Sequence, residues 1–355
     1  MSVTPVRHAT QDRARDHGSS PAVRGPIFIG GLDRSGKTTL RAFLASHPNI
    51  SIPAVGSNME TYFYGQYGNL AKRANLDRCL EAMLRYKHVR FLDPDRDRIR
   101  REFLEGPATY ERLFSLFLVH FAEREGKPRW GAQTGLIERY ADTLFASYPG
   151  VKVVHMVRDP RDRYEASLAL WPNGKGRAGG ATARWRYSTR LAERNRRRHP
   201  EDYRIVRFED MVLRPETTLR EVCAFLGEPF LPEMLSMPAA PKHRELLASG
   251  AAEGSRPGVL SEAFIGRFRG RVPVNEIAFI QLHAGTAMRA NGYALEPLGR
   301  SLGERARFAI VDWPSQFARM AAWRGVEEAQ QRFPRIVRRR PGKRMIVDPP
   351  GEGTR

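Results

Sequence analysis

A short apolar run, a glycine turn and a helical periodicity follow one another near the start of the chain. Residues 27–29 (Ile-Phe-Ile) run into Gly30-Gly31, which predicts a buried strand entering a tight turn. Residues 38–46 then predict a helix, because their apolar side chains fall on one face and Pro48 follows. The chain therefore opens its ordered part with a strand, a turn and a helix.

The same order occurs twice more along the sequence. Residues 151–157 and 203–208 are predicted strands, and they precede predicted helices at about 161–170 and 215–226. Gly227 is expected to end the last of these helices. Residues 70–125 show mainly helical periodicity, with Leu76, Leu80 and Leu84 and later Leu113, Leu116, Phe117 and His120 on the apolar positions. This alternation predicts a parallel sheet covered by helices on both faces.

Composition divides the remaining chain into segments. The first residues are polar and without periodicity, and residues 172–180 and 236–258 are rich in Gly, Pro and Ala, which predicts mobile loops over a site. The expected organisation is a flexible arm over 1–24, one domain over 25–297, a helical extension over 298–333 and a basic flexible tail over 334–355.

Residues 31–38 match the phosphate-loop pattern G-x-x-x-x-G-K-[ST] in full and lie between a predicted strand and a predicted helix. Glycines let successive backbone N–H groups turn inward toward phosphate oxygens, and the helix N-terminus adds a partial positive charge. Arg34 and Lys37 would supply full charges. The sequence therefore predicts an α/β fold of the P-loop type, in three layers with a central parallel sheet, and a ligand that carries phosphate.

Net charge and cysteine content limit the possible binding partners of the protein and the compartment in which it folds. The 355 residues carry a formal charge of +20, which attracts an anionic partner but does not choose among nucleic acid, membrane and a small ligand. Apolar residues make up 41% of the chain, so global disorder is excluded. Two cysteines are too few for a disulfide framework, and the N-terminus lacks the unbroken apolar core of a signal peptide. A cytoplasmic protein is expected.

The phosphate loop resembles the loops of two families. Thymidylate kinases have a similar loop, and Asp162-Arg163-Tyr164 with Ser167 resembles their D-R-Y motif. Sulfotransferases that use 3′-phosphoadenosine 5′-phosphosulfate have a related loop, usually R-S-G-T-T, in which Lys37 of this chain replaces the first Thr. The loop alone therefore leaves two kinds of enzyme open.

Five further segments resemble the bacterial and Golgi-type sulfotransferases, in the same order along the chain. They are residues 40–50 with "SHPNI", 130–134 with Gln133 in place of the usual Lys, 154–162 with V-R-D-P-R-D, 206–212 with the following Phe225-Leu226-Gly227, and 266–269 with the later Gly292-Tyr293. The resemblance covers about residues 26–293 and favours this family over the kinases, which are shorter. A nucleotide-dependent or polyanion-binding protein without turnover is the remaining alternative.

The resemblance implies sulfuryl transfer from the phosphosulfate to an acceptor hydroxyl or amine, without a metal ion. It assigns Arg34 to the departing phosphate, and Lys37 stands beside it in sequence. The 5′-phosphate would be held by the loop residues Arg34, Ser35, Gly36, Lys37, Thr38 and Thr39. Arg158 would bind the 3′-phosphate, with Ser167 as a weaker second ligand and Arg267 on a loop that closes over the nucleotide.

A carboxylate is expected to deprotonate the acceptor. The relatives often place a Glu soon after the "HP" turn, and Glu60 occupies that position here. His155 is the rival base, although its place within an apolar strand is more typical of a core histidine.

The acceptor and the C-terminal extension stay open. A small molecule, a carbohydrate or a glycolipid all fit, and no nucleic acid is expected. Apolar residues from Phe308 to Val326 fall roughly on one helical face among arginines, which predicts a helix that packs on the domain or on a second subunit. The other interpretation is a segment resting peripherally on an anionic inner membrane surface.

Overall fold

The computed structural model describes residues 24–168, 177–240, 261–333, 336 and 340–347. Five parallel strands form one sheet in the order β2-β3-β1-β4-β5. Their bounds are β1 Ile27–Gly31, β2 Ile50–Ser51, β3 Arg129–Gln133, β4 Lys152–Val157 and β5 Tyr203–Arg207. The three predicted strands are therefore confirmed, and two more lie on one side of β1.

Neither β2 nor β3 was predicted, for different physical reasons. Strand β2 has two residues, too few to show a pattern. Strand β3 begins with Arg129, which is 4% exposed and donates hydrogen bonds to the carbonyls of Gly25 (2.7 Å) and Leu226 (2.7 Å). Its guanidinium also pairs with Glu228 at 3.1 Å. A buried ion pair therefore stands where a buried strand usually carries an apolar side chain.

Helices cover both faces of the sheet. Their bounds are α1 Lys37–Ala45, α2 Met59–Tyr62, α3 Arg73–Leu84, α4 Lys87–Arg90, α5 Arg96–Leu104, α6 Tyr110–Arg124, α7 Ala141–Ser147, α8 Pro160–Leu168, α9 Ala178–Arg198, α10 Phe208–Leu213, α11 Pro215–Leu226, α12 Val274–Ala290, α13 Leu302–Arg307 and α14 Trp313–Arg332. Phe28 of β1 packs in a core with α3 and α6, whereas its neighbours Ile27 and Ile29 pack with α1 and α11 on the other face. The three-layer α/β fold with a central parallel sheet is confirmed, and so is Gly227 as the left-handed residue that ends α11.

The prediction of a loop over residues 172–180 is wrong at its C-terminal end. Residues 178–180 of the predicted loop 172–180 form the first turn of α9, and the rest of it lies outside the described residues, apart from residue 177. A methyl group on Gly179 would overlap the backbone carbonyl of Gln316 in α14, and the Gly179 N–H donates to the Gln316 side chain at 2.8 Å. The glycine therefore allows two helices to approach closely. Of the predicted loop 236–258, only residues 236–240 are described, with Ser236 ending a 3-10 turn.

The C-terminal extension packs on the domain, as one of the two interpretations expects, through α14 against α9. The predicted apolar stripe is only partly buried. Met320 is 2% exposed, whereas Phe317 is 42% and Val326 53% exposed. Part of the interface of α14 is polar instead. Gln316 and Glu327 are buried there, where Gln316 accepts a hydrogen bond from Gly179 and Glu327 pairs with Arg139.

The predicted flexible tail differs from the structure over residues 340–347. Ile346 forms an antiparallel bridge with Tyr86, and the Val347 N–H donates to the Arg85 carbonyl at 2.9 Å. Met345 packs against the core beside these residues. No helix in the described part of the chain is long and apolar enough to span a bilayer.

Candidate active site

The loop between β1 and α1 has the backbone that a phosphate loop needs. Gly31 and Gly36 adopt φ of +105° and +93°, values that side chains rarely tolerate. A methyl group on Gly36 would also overlap the ring of Phe208. Arg34 takes a left-handed conformation as well, with φ of 68°. The loop is therefore curled as in phosphate-binding loops.

Lys37 lies inside this loop. Its side chain is 6% exposed, and its ammonium donates to the Gly31 carbonyl at 2.8 Å. The Asp33 carboxylate lies 3.5 Å from the same ammonium, which holds the pKa of Asp33 below its usual value. The sequence thus places a buried cation at the N-terminus of α1, where the helix dipole also favours an anion.

The other loop side chains differ in exposure. Ser35 is buried, and its hydroxyl donates to the Leu32 carbonyl at 2.6 Å. Thr39 is 4% exposed, whereas Thr38 is exposed and accepts a hydrogen bond from the Gln133 amide at 3.4 Å. Gln133 is the residue that stands where the resembling family has a lysine, and it reaches the loop from the end of β3.

Arg158 follows β4 directly beside the loop. Its guanidinium donates to the carbonyls of Arg34 (3.2 Å) and Phe264 (2.6 Å) and lies over the Phe208 ring, 4.5 Å from its centre. The residue is 6% exposed, and burial lowers the pKa of the guanidinium. Its Nε atom has no hydrogen-bond partner among the described residues. A buried, incompletely bonded cation thus faces both the loop and the Phe264 segment.

Asp162 holds the segment that carries Arg267 against the start of α8. Its carboxylate accepts hydrogen bonds from the backbone N–H groups of Gly266 (2.7 Å) and Phe268 (3.0 Å). Arg267 lies 3.4 Å from Glu165 in the same helix. Arg158 and Arg267 are therefore brought to one side of the loop. Asp162 of the D-R-Y sequence stabilises the backbone of the segment that carries Arg267.

Glu60 is buried in α2 at the other side of the loop. It is 5% exposed, and burial raises the pKa of its carboxyl from 4.5 to about 7. The Thr134 hydroxyl donates to Glu60 at 3.4 Å and lies 2.8 Å from the Ser57 hydroxyl. Thr134 follows β3, and its N–H donates to the Ile29 carbonyl of β1 at 3.1 Å. The carboxyl is thus fixed relative to the sheet edge from which the loop begins.

Gly135 connects this carboxyl to the phosphate loop. The position that a Cβ atom would occupy on Gly135 lies 3.5 Å from the Lys37 ammonium. The Gly135 N–H donates to the Asn58 side chain at 3.1 Å, and its carbonyl accepts from Thr61 at 3.3 Å. Glu60 contacts Thr134 and Lys37 lies beside Gly135, so the structure brings both groups against the same pair of residues.

Two other candidate side chains have partners elsewhere. His155 is 1% exposed and lies 3.0 Å from the Tyr203 hydroxyl, in the core between β4 and β5. The Ser167 hydroxyl donates to the Arg163 carbonyl of its own helix at 2.8 Å. His155 is therefore a core histidine, and the Ser167 hydroxyl is directed to its own helix rather than to Arg158.

Several residues that support the site were not predicted from the sequence. Glu209 accepts hydrogen bonds from the Asp159 N–H (2.9 Å) and the Tyr293 hydroxyl (3.0 Å). The Trp185 indole donates to the Arg158 carbonyl at 2.9 Å. These contacts fix the turn that carries Arg158. Glu209 and Tyr293 fall in two of the segments that resemble the family, but the bonded residues are far apart in sequence, so no local pattern reveals these contacts.

One comparison with known proteins identifies a family, and another finds structures of similar fold. A family model described as "Sulfotransferase family" matches residues 26–232. A search of curated proteins finds no match. The sulfotransferase domain of the olefin synthase from Synechococcus PCC 7002 is similar in structure, with a TM-score of 0.52 and 18% identity over 78% of this chain and 99% of that one. The sulfotransferase domain of the curacin biosynthetic pathway gives a TM-score of 0.49 and 16% identity over 78% of this chain and 100% of that one.

Proposed function

The chain belongs to the sulfotransferase family, and we propose that its sulfuryl donor is 3′-phosphoadenosine 5′-phosphosulfate. Its reaction is then the transfer of a sulfuryl group to a hydroxyl or amine of an acceptor. The observation that carries the proposal is the position of three groups around one loop. Buried Lys37 lies within it, buried Arg158 lies beside it, and buried Glu60 contacts Thr134, whose neighbour Gly135 lies beside Lys37.

The phosphate loop fits the 5′ end of this donor. The N–H groups from Ser35 to Thr39 and the hydroxyls of Thr38 and Thr39 would hold the phosphate, and the curled backbone at Gly36 supports that assignment. When bound, the donor supplies an activated sulfuryl group on a phosphate leaving group. Arg34 and Lys37 would stabilise the negative charge that develops on that leaving group.

Arg158 is the proposed ligand of the 3′-phosphate. Its carbonyl partners on Arg34 and Phe264 are neutral acceptors, so a phosphate dianion would be a stronger partner for the same guanidinium. Arg267 would approach the nucleotide from the segment that Asp162 holds. Ser167 would need a different rotamer, because its hydroxyl now donates to a backbone carbonyl.

Glu60 is the proposed general base. A general base must be ionised and must lie near the acceptor hydroxyl. A pKa near the working pH is favourable, because a large fraction of the carboxyl is then ionised and the carboxylate still binds a proton well. The pKa of about 7 supports this role. Thr134 would hold the carboxylate in one orientation while the acceptor attacks sulfur in line with the leaving phosphate.

The proposed reaction needs no metal ion, whereas a thymidylate-like kinase would need magnesium. In such a kinase a strand beside the loop strand ends in an acid that helps to hold the ion. Here β3 runs into Thr134 and β4 into Arg158. Asp162 accepts two backbone hydrogen bonds, which leaves it poorly placed for a kinase role.

Thermal denaturation in the presence of nucleotides tests the donor without knowledge of the acceptor. A ligand at 100 times its Kd stabilises the folded state by about 2.7 kcal/mol, which raises the melting temperature by several degrees. We expect 3′-phosphoadenosine 5′-phosphate (PAP) to give this shift in EDTA. ATP with magnesium is the comparison, and a shift with it alone would favour the kinase.

We further propose one catalytic domain over residues 25–297, with an extension and a tail after it, in a cytoplasmic protein. The extension exposes Leu302, Ile310 and Val311 among arginines, which supports peripheral contact with an anionic inner membrane surface. A glycolipid acceptor would suit such contact, and a carbohydrate or other small molecule would not require it. Sedimentation with vesicles tests the membrane contact. If the contact occurs, anionic vesicles should bind the protein and neutral vesicles should not.

A further inference from the structure

Arg163 is a buried cation near the start of α8 to which no role has yet been assigned. It is the middle residue of the D-R-Y sequence and is only 5% exposed. Burial lowers the pKa of its guanidinium from 12.5 to about 10, so the group stays positively charged at neutral pH. Within the described ranges, its Nε atom has no hydrogen-bond partner and no carboxylate lies within ion-pair distance of it.

Arg161, two residues earlier in the same helix, is a buried cation with close partners. Its guanidinium donates to both carboxylate oxygens of Asp159 (3.0 and 2.7 Å) and to the Gln281 side chain (2.6 Å). A buried charge without such partners is destabilising, because it loses its solvation by water and gains no interaction in return. The burial of Arg163 therefore opposes folding, which indicates that the side chain serves another purpose.

The position of Arg163 is beside the phosphate loop. Leu32 of the loop and Tyr164 of α8 pack in the same apolar cluster, and their neighbours in the chain are Asp33 and Arg163. Arg163 interacts electrostatically with Asp33, whose carboxylate lies 3.5 Å from the Lys37 ammonium. The guanidinium is thus brought to the part of the loop that holds the proposed ligand of the leaving phosphate.

Asp33 is too weak a partner to balance the positive charge at this place. Most of its side chain is exposed, so water screens its charge. Lys37 contributes most to lowering the pKa of this carboxyl, and Arg163 and the exposed Arg184 of α9 lower it further. Three cations therefore share one screened carboxylate, and Arg158 is a fourth positive charge that acts on Arg163. This excess of positive charge predicts that an oxyanion binds beside Arg163.

The proposed donor has one oxyanion to which no cation has been assigned. Lys37 and the loop N–H groups are assigned to the 5′-phosphate, and Arg158 is assigned to the 3′-phosphate. The sulfuryl group is bonded to the 5′-phosphate, so it must lie next to the loop. A small group that the donor brings into the loop suits an almost fully buried guanidinium, whereas an acid group on a bulky acceptor would need an open surface. The planar guanidinium can also donate to two oxygens at once.

We propose that Arg163 binds the sulfuryl group of the donor and orients it for transfer, which makes it a further catalytic residue. The proposal rests on the proposed sulfuryl-transfer function. The guanidinium would donate to the sulfuryl oxygens while the acceptor oxygen attacks sulfur in line with the leaving phosphate. The bond from the acceptor oxygen to sulfur forms as the bond from sulfur to the 5′-phosphate oxygen breaks, and the phosphate leaves with the electron pair. Glu60 takes the acceptor proton, and Arg163 keeps its own protons throughout.

Two nucleotides that differ only in the sulfuryl group test this proposal. Titration calorimetry with the full chain and without acceptor gives Kd for 3′-phosphoadenosine 5′-phosphosulfate and for PAP. A charged hydrogen bond changes affinity by about 10- to 150-fold, so Arg163→Met should weaken binding of the phosphosulfate by a factor in this range. Binding of PAP should weaken by less than about threefold, since PAP lacks the sulfuryl group. Arg163→Lys keeps the charge without the planar fork, so its ratio should fall between those of Arg163→Met and the wild type.

Arg184→Gln is the matched control for the loss of charge. It removes one positive charge from an exposed position that interacts with the same carboxylate, Asp33. It should change both Kd values equally and by less than about threefold.

The melting temperature of the nucleotide-free protein gives a second readout, which a merely structural role would move in the opposite direction. Arg163→Met removes an unpaired buried charge, so it should raise the melting temperature by about 2 °C or more. Arg161→Met breaks a paired buried charge in the same helix and should lower it.

Three outcomes would overturn the proposal. They are equal weakening of both nucleotides in Arg163→Met, an unchanged affinity of that variant for the phosphosulfate, and a lower melting temperature of that variant without nucleotide. Arg163→Gln repeats both measurements if Arg163→Met does not fold. Absence of PAP binding to the wild-type protein would instead contradict the proposed function itself.

Discussion

Replacing Glu60 by Gln tests the proposed base through stability as well as activity. Burial raises the pKa of Glu60 from 4.5 to about 7, so between these values the folded chain holds a proton that the unfolded chain has released. Stability is therefore lost as the pH rises through this range. The full cost above pH 7 is on the order of 3 kcal/mol, because one pKa unit corresponds to about 1.4 kcal/mol.

The neutral amide of the Glu60→Gln variant would carry no such cost at any pH, so the free energies of unfolding of variant and wild type should diverge with pH. Between pH 5 and pH 8 the stability of Glu60→Gln relative to the wild type should rise by about 2 to 3 kcal/mol. Urea unfolding at both pH values measures it. Glu81→Gln, at an exposed position of α3, is the control and should show no comparable change.

Activity should respond in the opposite direction. The base works only when ionised, so kcat/KM of the wild type should fall about tenfold per pH unit below pH 7. Glu60→Gln should lower kcat/KM by about 10²- to 10⁴-fold and keep the PAP thermal shift. A variant that retains more than a tenth of wild-type activity, or a stability difference that is flat with pH, would refute the reasoning.

Three further substitutions have definite outcomes. Thr134→Val removes a hydrogen bond that lowers the pKa of Glu60, so the acid limb of the pH–rate profile should move up by about 1 unit; an unmoved limb contradicts the contact. Gly36→Ala forces a side chain onto a left-handed backbone and into the Phe208 ring, so calorimetry should show PAP binding weakened at least tenfold. Lys37→Ala should lower kcat by about 10²- to 10³-fold in steady-state kinetics, and full turnover would exclude the ammonium from the reaction.

The main features of the fold could be predicted because local patterns determine them. Continuous apolar runs identify β1 and β4, and Gly227 marks the end of α11. Other features depend on tertiary contacts that one sequence does not display. Gly179 looks like a loop glycine until Gln316 is found against it, and Arg129 is an acceptable strand residue only because Glu228 is buried beside it.

The candidate site divides in the same way. The phosphate loop is contiguous in sequence, so its spacing alone predicts its backbone. Glu60 and Lys37 are placed against Thr134 and Gly135, which follow β3, a strand that was not predicted. The contacts that fix the turn of Arg158 could not be predicted from local patterns, since Trp185, Glu209 and Tyr293 come from separate parts of the chain.

The most direct test of the donor assignment compares two ligands that differ only in the 3′-phosphate. Titration calorimetry would measure Kd for PAP and for adenosine 5′-monophosphate with the wild type, with Arg158→Ala and with the surface control Arg204→Ala. A hydrogen-bonded charge pair contributes about 1.5–3 kcal/mol, so PAP should bind the wild type and the control about 10- to 150-fold more tightly than the monophosphate. Arg158→Ala should bring this ratio close to 1. Equal affinities in the wild type, or an unchanged ratio in Arg158→Ala, would contradict the account.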